Sequence, residues 1–284
     1  FLSTDGFVKS AQKIGNSYGG LSSFYTLGNW DWFGRSSAAL GDLDSDGTAD
    51  LLVGVRRDDD GGYNAGGAYI LFLTTDGLIK SAQKISNSYG GLSSFYTLGS
   101  ADEIGEGVAA IGDLDGNGVT DLVISAIGDD DGSSHAGAVY ILFLQASCPT
   151  MAPTPLPTTS PAPTTDGCVS DGTVKAAQKI SNSYGNMPYT LDSNFGHGCT
   201  SISDLDGDGV AELVAGTWGA EAVHILFLAT DGTVKSAQKI SNSYGGLSSF
   251  YTLDSGDYFG VKIGSLGDLD GDSVADIVVN AYYD

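Results

Sequence analysis

Apolar residues occur as short runs cut off by Gly, Asp and Ser, and no segment carries the three-to-four spacing of an amphipathic helix. Leu51-Leu52-Val53, Leu122-Val123-Ile124, Leu213-Val214-Ala215 and Ile277-Val278-Val279 each follow an acidic loop. Longer runs come next, at Ala68 to Leu73, Ala138 to Leu144 and Ala222 to Leu228. Runs of this length between turn residues predict buried β-strands. An earlier strand is predicted from Phe33 to Leu40, with counterparts near Ile104, Phe195 and Phe259. The phrase Val8-Lys9-Ser10-Ala11-Gln12-Lys13-Ile14 returns from Ile79 to Ile85, Val174 to Ile180 and Val234 to Ile240, and its Lys and Gln suit a solvent-facing edge strand.

Four strands per unit, repeated along the chain, predict an all-β fold: a β-propeller of four-stranded blades. The rival, a linear β-solenoid, usually repeats at a shorter period. The expected units are about 7–85, 86–180, 181–240 and 241–284. The chain opens with Phe1-Leu2, the end of a third strand, and stops just past a second strand at Tyr283-Asp284. It is therefore expected to be either a fragment or an incomplete ring completed by a neighbour, with head-to-tail self-association one outcome.

The loop before each second strand carries the most specific chemistry. Asp42, Asp44, Asp46 and Asp50 stand at positions 1, 3, 5 and 9 of the first loop. The others repeat this with Asp113, Asp115, Asn117 and Asp121; Asp204, Asp206, Asp208 and Glu212; and Asp268, Asp270, Asp272 and Asp276. Alternate carboxylates on a curled loop can converge on one hard cation, and Ca²⁺ takes six to eight oxygens where Mg²⁺ keeps its waters. Position 7 (Thr48, Val119, Val210 and Val274) would add a backbone carbonyl. Gly47, Gly118 and Gly209 permit the sharp turn at position 6; Ser273 replaces Gly in the fourth loop and should weaken it. Empty Asx-rich turns would explain one such loop, but four in register would repel internally without a cation. About four Ca²⁺ ions are expected. The lack of Glu at position 12 and the flanking strands exclude an EF-hand.

Composition supports a cation partner. Thirty-five acids face 12 bases, a formal charge of −23, which argues against nucleic acid. Hydrophobic residues at 41% allow a substantial core. No stretch approaches the roughly 18 to 20 apolar residues of a membrane helix. Any targeting segment is expected to lie outside this sequence.

Phe33-Gly34, then Gly41-Asp42-Leu43-Asp44-Ser45-Asp46-Gly47 and Ala49-Asp50-Leu51-Leu52-Val53-Gly54, resembles the FG-GAP repeat of integrin α-subunit propellers and of microbial surface proteins. Units at Ile104, Phe195 and Phe259 are similar, so the resemblance covers essentially the whole chain. Gly128 to Gly132 and the Phe-Leu-x-x-Asp-Gly links look closer to microbial members. The resemblance implies a calcium-stabilised, non-enzymatic propeller at the cell surface or outside the cell, binding a cell-surface or matrix protein or a glycan. Arg56-Arg57, Ala126-Ile127, Thr217-Trp218 and Ala281-Tyr282 depart from the family's Gly-Ala-Pro-like turn, so no integrin ligand-binding residue is carried over. The FG pair itself reads as inter-blade packing.

A Pro/Thr-rich loop, 146–171, interrupts the second unit between its third and fourth strands. Cys148 and Cys168 stand at its ends, where a disulfide would close it and imply an oxidising compartment. Thr150, Thr154, Thr158, Thr159, Thr164 and Thr165 are O-glycosylation candidates, with a plain linker as the alternative. A structural subunit of an extracellular fibre with this loop glycosylated, and a lectin-type propeller, stay open as alternative functions. Cys199 reads as a small buried thiol. His135, His197 and His224 share no recurring neighbours and read as structural, and no nucleophile, phosphate-loop or zinc motif is present. Trp30, Trp32, Tyr63, Trp218 and Tyr258 are candidates for sugar stacking or, more commonly, inter-blade packing. A calcium-free chain should melt at a lower temperature than the loaded one, and an identical thermal curve in EDTA would count against the cages.

Overall fold

The strands form where the apolar runs place them. In chain order they are β1 (Phe33–Gly41), β2 (Asp50–Val55), β3 (Gly67–Leu73) and β4 (Ile79–Ile85); β5 (Ile104–Gly112), β6 (Asp121–Ala126), β7 (Ala138–Leu144) and β8 (Val174–Ile180); β9 (Phe195–Ile202), β10 (Glu212–Thr217), β11 (Ala222–Leu228) and β12 (Val234–Ile240); and β13 (Ile263–Gly267) with β14 (Asp276–Val279). This computed structural model describes residues 1–148 and 168–283, so the six candidate threonines Thr150, Thr154, Thr158, Thr159, Thr164 and Thr165 lie outside the described residues.

Each sheet is an antiparallel meander in sequence order, β1-β2-β3-β4, β5-β6-β7-β8 and β9-β10-β11-β12. The fourth holds β13 and β14 alone among the described residues. Registers repeat from sheet to sheet: Leu52 faces Ile70, Val123 faces Ile141 and Val214 faces Ile225. The first strands β1, β5, β9 and β13 neighbour one another in turn. Together they line one axial channel, through Ala38, Ala109, Thr200 and Ile263. The chain is therefore a β-propeller, with blades around that axis.

Apolar residues fill the space between blades. Leu52 and Ile70 of the first sheet meet Leu122, Ile124 and Tyr140 of the second. Val123 and Ile141, which point to the sheet's other face, meet Leu213 and Leu226 of the third. Every residue of β6 and β7 is buried because both faces of that sheet are covered, which explains their uninterrupted apolar runs. The Phe-Gly position serves the same joints. Ile104, Phe195 and Phe259 are buried, and Phe33 partly so. The glycine after each adopts a left-handed backbone, as at Gly105 (φ 97°) and Gly260 (φ 93°). Its backbone also touches the next blade: a Cβ on Gly216 would sit 1.9 Å from the Gly260 carbonyl oxygen.

Three expectations change. Val8–Ile14 forms no strand, only an isolated bridge between Leu2 and Val8, because no third strand stands beside it among the described residues. Phe259 precedes β13, which starts at Ile263, yet is still buried. Cys199 is half-buried on the wall of the axial channel and not enclosed. Its burial still pushes the thiol up to about 12.

One blade departs from its siblings inside the core. Tyr69 and Tyr140 occupy the third position of their strands or its equivalent, and His224 replaces them in β11. His224 is fully buried, with Nδ1 2.8 Å from the Tyr189 hydroxyl, and burial pushes its pKa down to about 4. As pH falls below about 6.5 the unfolded chain takes up a proton that the folded chain refuses until about pH 4. Stability present above that window is lost within it, by about 3 kcal/mol. His224→Tyr should flatten the dependence of unfolding free energy on pH between those limits, as read by urea titration. Gly216→Ala should cost about 2 kcal/mol in the same assay, because backbone must move at the joint.

Candidate metal centres

Each acidic loop is first a folded object made by its own carboxylates. Position 1 accepts hydrogen bonds from the turn: Asp42 takes the N–H groups of Asp46 (2.9 Å) and Gly47 (2.7 Å). Asp113, Asp204 and Asp268 do the same in their loops. Position 5 accepts from position 7, as Thr48 to Asp46 (2.7 Å), Val119 to Asn117 (2.9 Å), Val210 to Asp208 (2.9 Å) and Val274 to Asp272 (2.8 Å). Two positions of the turn are left-handed. Position 6 is Gly47, Gly118, Gly209 or, with a side chain in this strained region, Ser273 (φ 72°). Position 4 is Gly116, Gly207, Gly271 or Ser45 (φ 59°), a requirement the sequence reading did not anticipate.

Position 9 reaches further. Asp50 accepts from Leu43 N–H within the loop and from Leu73 N–H at the end of β3, both at 3.0 Å. Asp121 repeats this with Leu114 and Leu144, both at 3.0 Å. Glu212 accepts from Leu205 at 2.9 Å, and Asp276 from Leu269 at 2.7 Å. Burial raises the pKa of Asp50 and Glu212, and pushes Asp121 up to about 7, with Asp115 and Asp113 adding to the effect.

The loops bring their acids together unequally. In the third, Asp204, Asp206, Asp208 and Glu212 each offer an oxygen within 4.8 Å of the others. The corresponding groups are Asp42, Asp44 and Asp50; Asp113, Asp115 and Asp121; and Asp268, Asp270 and Asp276. Asp46 and Asp272 are not drawn into their groups. The donor set is all oxygen, and Glu212 Oε1 is buried with no hydrogen-bond partner beside three other carboxylates. These residues fit a hard divalent cation such as Ca²⁺.

Lysines at these loops were missed in the sequence. Lys80 Nζ lies 2.8 Å from Asp44 and also bonds Asp46; Lys175 lies 2.7 Å from Asp115; Lys235 lies 3.2 Å from Asp206 and bonds Asp208. Partial burial works against the Lys80 charge, but its bonds to Asp44 and Asp46 hold its pKa above the ordinary value. The second lysine of each phrase serves the opposite end of its blade. Lys84 is buried, 2.7 Å from Asp58, and Lys179 is 2.6 Å from Asp129. The signal was present: both lysines recur at one spacing in every copy, which an indifferent solvent-facing edge would not require.

The inserted loop is rooted at the same face. Cys148 and Cys168 are disulfide-bonded, with Cα atoms 4.1 Å apart. Cys148 Sγ lies 3.7 Å from the Asn117 carbonyl oxygen, and Ser170 N–H donates to Leu43 of the first loop at 2.9 Å. The insertion therefore starts and ends between the first and second acidic loops.

A propeller with an acid-lined turn between the first two strands of every blade is the class defined by this fold and site. Residues 33–71, which run from β1 through the first acidic loop to β3, match the model of the FG-GAP repeat. Over 99 residues the chain is 39% identical to integrin alpha pat-2 of Caenorhabditis briggsae, covering 34% of this chain and 7% of that protein. Over 233 residues it is 27% identical to integrin alpha-5 of Xenopus laevis, covering 77% of this chain and 19% of that protein. The chain thus spans a small part of either relative's length, and neither match bears on a microbial type. Among solved structures, the exotype rhamnogalacturonan lyase YesX aligns over 86% of this chain and 39% of its own, with 15% identity and a TM-score of 0.42, a likeness too slight to carry an argument. Residues 33–71 therefore carry an FG-GAP repeat, and the chain is similar to integrin α chains over the stretches matched.

Removing the ammonium from the first loop tests its part in the site. Lys80→Met should raise the affinity of that loop for Ca²⁺ several-fold, about 1 kcal/mol, if lysine and cation compete for Asp44 and Asp46. Calorimetric titration of wild type and variant measures it.

Proposed function

We propose that this propeller is a calcium-stabilised recognition scaffold that works outside the cell and performs no chemistry of its own. The observation that carries the reading is the third loop, where four carboxylates converge and the buried Glu212 Oε1 lacks a partner. Asp204, Asp206, Asp208 and Glu212 would hold the ion, with Val210 supplying a backbone carbonyl. Bound Ca²⁺ would supply charge neutralisation, allowing the loop to close without internal repulsion.

The other loops would hold ions with fewer carboxylates. Asp42, Asp44 and Asp50 serve the first, Asp113, Asp115 and Asp121 the second, and Asp268, Asp270 and Asp276 the fourth. The fourth should be weakest, because Ser273 holds a left-handed backbone that glycine holds freely. An extracellular setting is supported by the Cys148–Cys168 bond, which persists in oxidising compartments. Adhesion, with a cell-surface or matrix partner, is supported by the likeness to integrin α chains.

The test is a calcium titration followed by heat. Melting temperature should rise with Ca²⁺ over the range of about 10⁻⁴ to 10⁻³ M expected of extracellular modules. Asp206→Asn should remove one binding event and lower the calcium-dependent gain. Melting that ignores both calcium and the substitution would overturn the proposal.

A further inference from the structure

The blades are near copies, so the positions at which every copy differs stand out. The residue after the Phe-Gly or Ile-Gly pair is Arg35, Glu106, His197 or Val261. The residue at the end of the second strand's phrase is Arg56, Ile127, Trp218 or Tyr282. An antiparallel hairpin sets the start of its first strand beside the end of its second. Both variable positions therefore fall at the end of the blade remote from the acidic loop, around one mouth of the axial channel.

Charge is concentrated there against the character of the whole molecule. Apart from the two lysines of each repeated fourth-strand phrase, the basic residues of this −23 chain are Arg35, Arg56, Arg57 and Lys262. All four meet at this mouth around two carboxylates. Glu106, with no solvent exposure, accepts from Arg35 Nε (2.7 Å) and Arg56 Nη1 (3.1 Å), and Lys262 Nζ lies 3.5 Å away. Glu103 takes Arg56 and Arg57. In this cluster four cations face two carboxylates, and the side chains of Arg35 and Lys262 stay 30% and 43% exposed.

Those two cations form one wall of a cavity of about 410 Å³. Trp218, Tyr258 and Tyr283 form the other, in successive edge-to-face contacts with centroids 5.1 Å apart. His197 also lines the cavity. It is buried, and its Nδ1, 3.5 Å from Glu106 Oε1, makes no hydrogen bond. An orphaned polar atom, an aromatic wall and exposed cations in one concavity are the components of a ligand site.

We infer that this mouth binds a sugar unit bearing a carboxylate, a uronic acid. The carboxylate sits between Arg35 and Lys262, the ring lies against Trp218 and Tyr258, and a hydroxyl satisfies His197 Nδ1. An acidic amino-acid side chain would use the cations alone and leave both the aromatic wall and the histidine unoccupied. The site lies opposite the acidic loops and does not depend on the scaffold proposal.

The test is isothermal titration of the full chain with D-glucuronate and with D-glucose, at constant calcium of about 2 mM. Glucuronate should bind with a dissociation constant on the order of 1 mM, and glucose at least about tenfold more weakly. Trp218→Ala and Lys262→Met should each weaken glucuronate about tenfold, while Lys262→Arg retains it and Lys9→Met, exposed and outside the cavity, leaves it unchanged. Melting curves of each variant separate loss of fold from loss of binding. The proposal is overturned by equal affinity for the two sugars, by no binding of glucuronate up to about 50 mM, by tighter binding of a glutamate-containing tripeptide, or by a folded Lys262→Met that binds as wild type does. Because calcium is held constant, any of these outcomes leaves the calcium reading untouched.

Discussion

At the start of the second strand in the first three blades a carboxylate is withdrawn from water and tied to backbone N–H. Asp50 and Asp121 each join the acidic loop before them to the end of the third strand across the sheet. Taking a carboxylate out of water is costly unless its oxygens are satisfied, so the loop and the third strand must both be in place for the group to be tolerated. The blade and its acidic loop therefore fold as one object. Glu212, one methylene longer, reaches the loop but leaves Oε1 without a hydrogen-bond partner.

The same logic of paired burial divides the propeller into two unlike faces. At the loop face, lysines from the outer strand lean on acids of the acidic loops, and the disulfide-closed insertion is rooted between two of those loops. At the other face, Lys84 and Lys179 neutralise the acids that follow the second strand, and arginines close around Glu106. Lysines close both ends of the first two blades, so the acidic excess of the chain is structurally organised and not spread evenly over the surface.

Much of this was legible in the residues. The apolar runs located β2, β3 and their copies in the second and third blades because both faces of those strands are covered and leave no polar position to blur them. The acid spacing located the loops because cage geometry depends on local turn structure. What escaped was whatever depends on a partner far along the chain. Asp46 looks equivalent to Asp208, yet only Asp208 is drawn into its acid group, although a lysine reaches both. Val8–Ile14 carries the same letters as β12 but forms no strand, since a β-strand exists only against a neighbour.

By itself the sequence determined the blade, since strand period, turn glycines and alternating acids all act over a few residues. Only the tertiary structure decided what the blades make together. Arg35, Glu106, His197 and Trp218 look like unrelated exceptions to the repeat when read along the chain. Rotation of each blade about a shared axis brings them to one mouth, a proximity that no local spacing encodes.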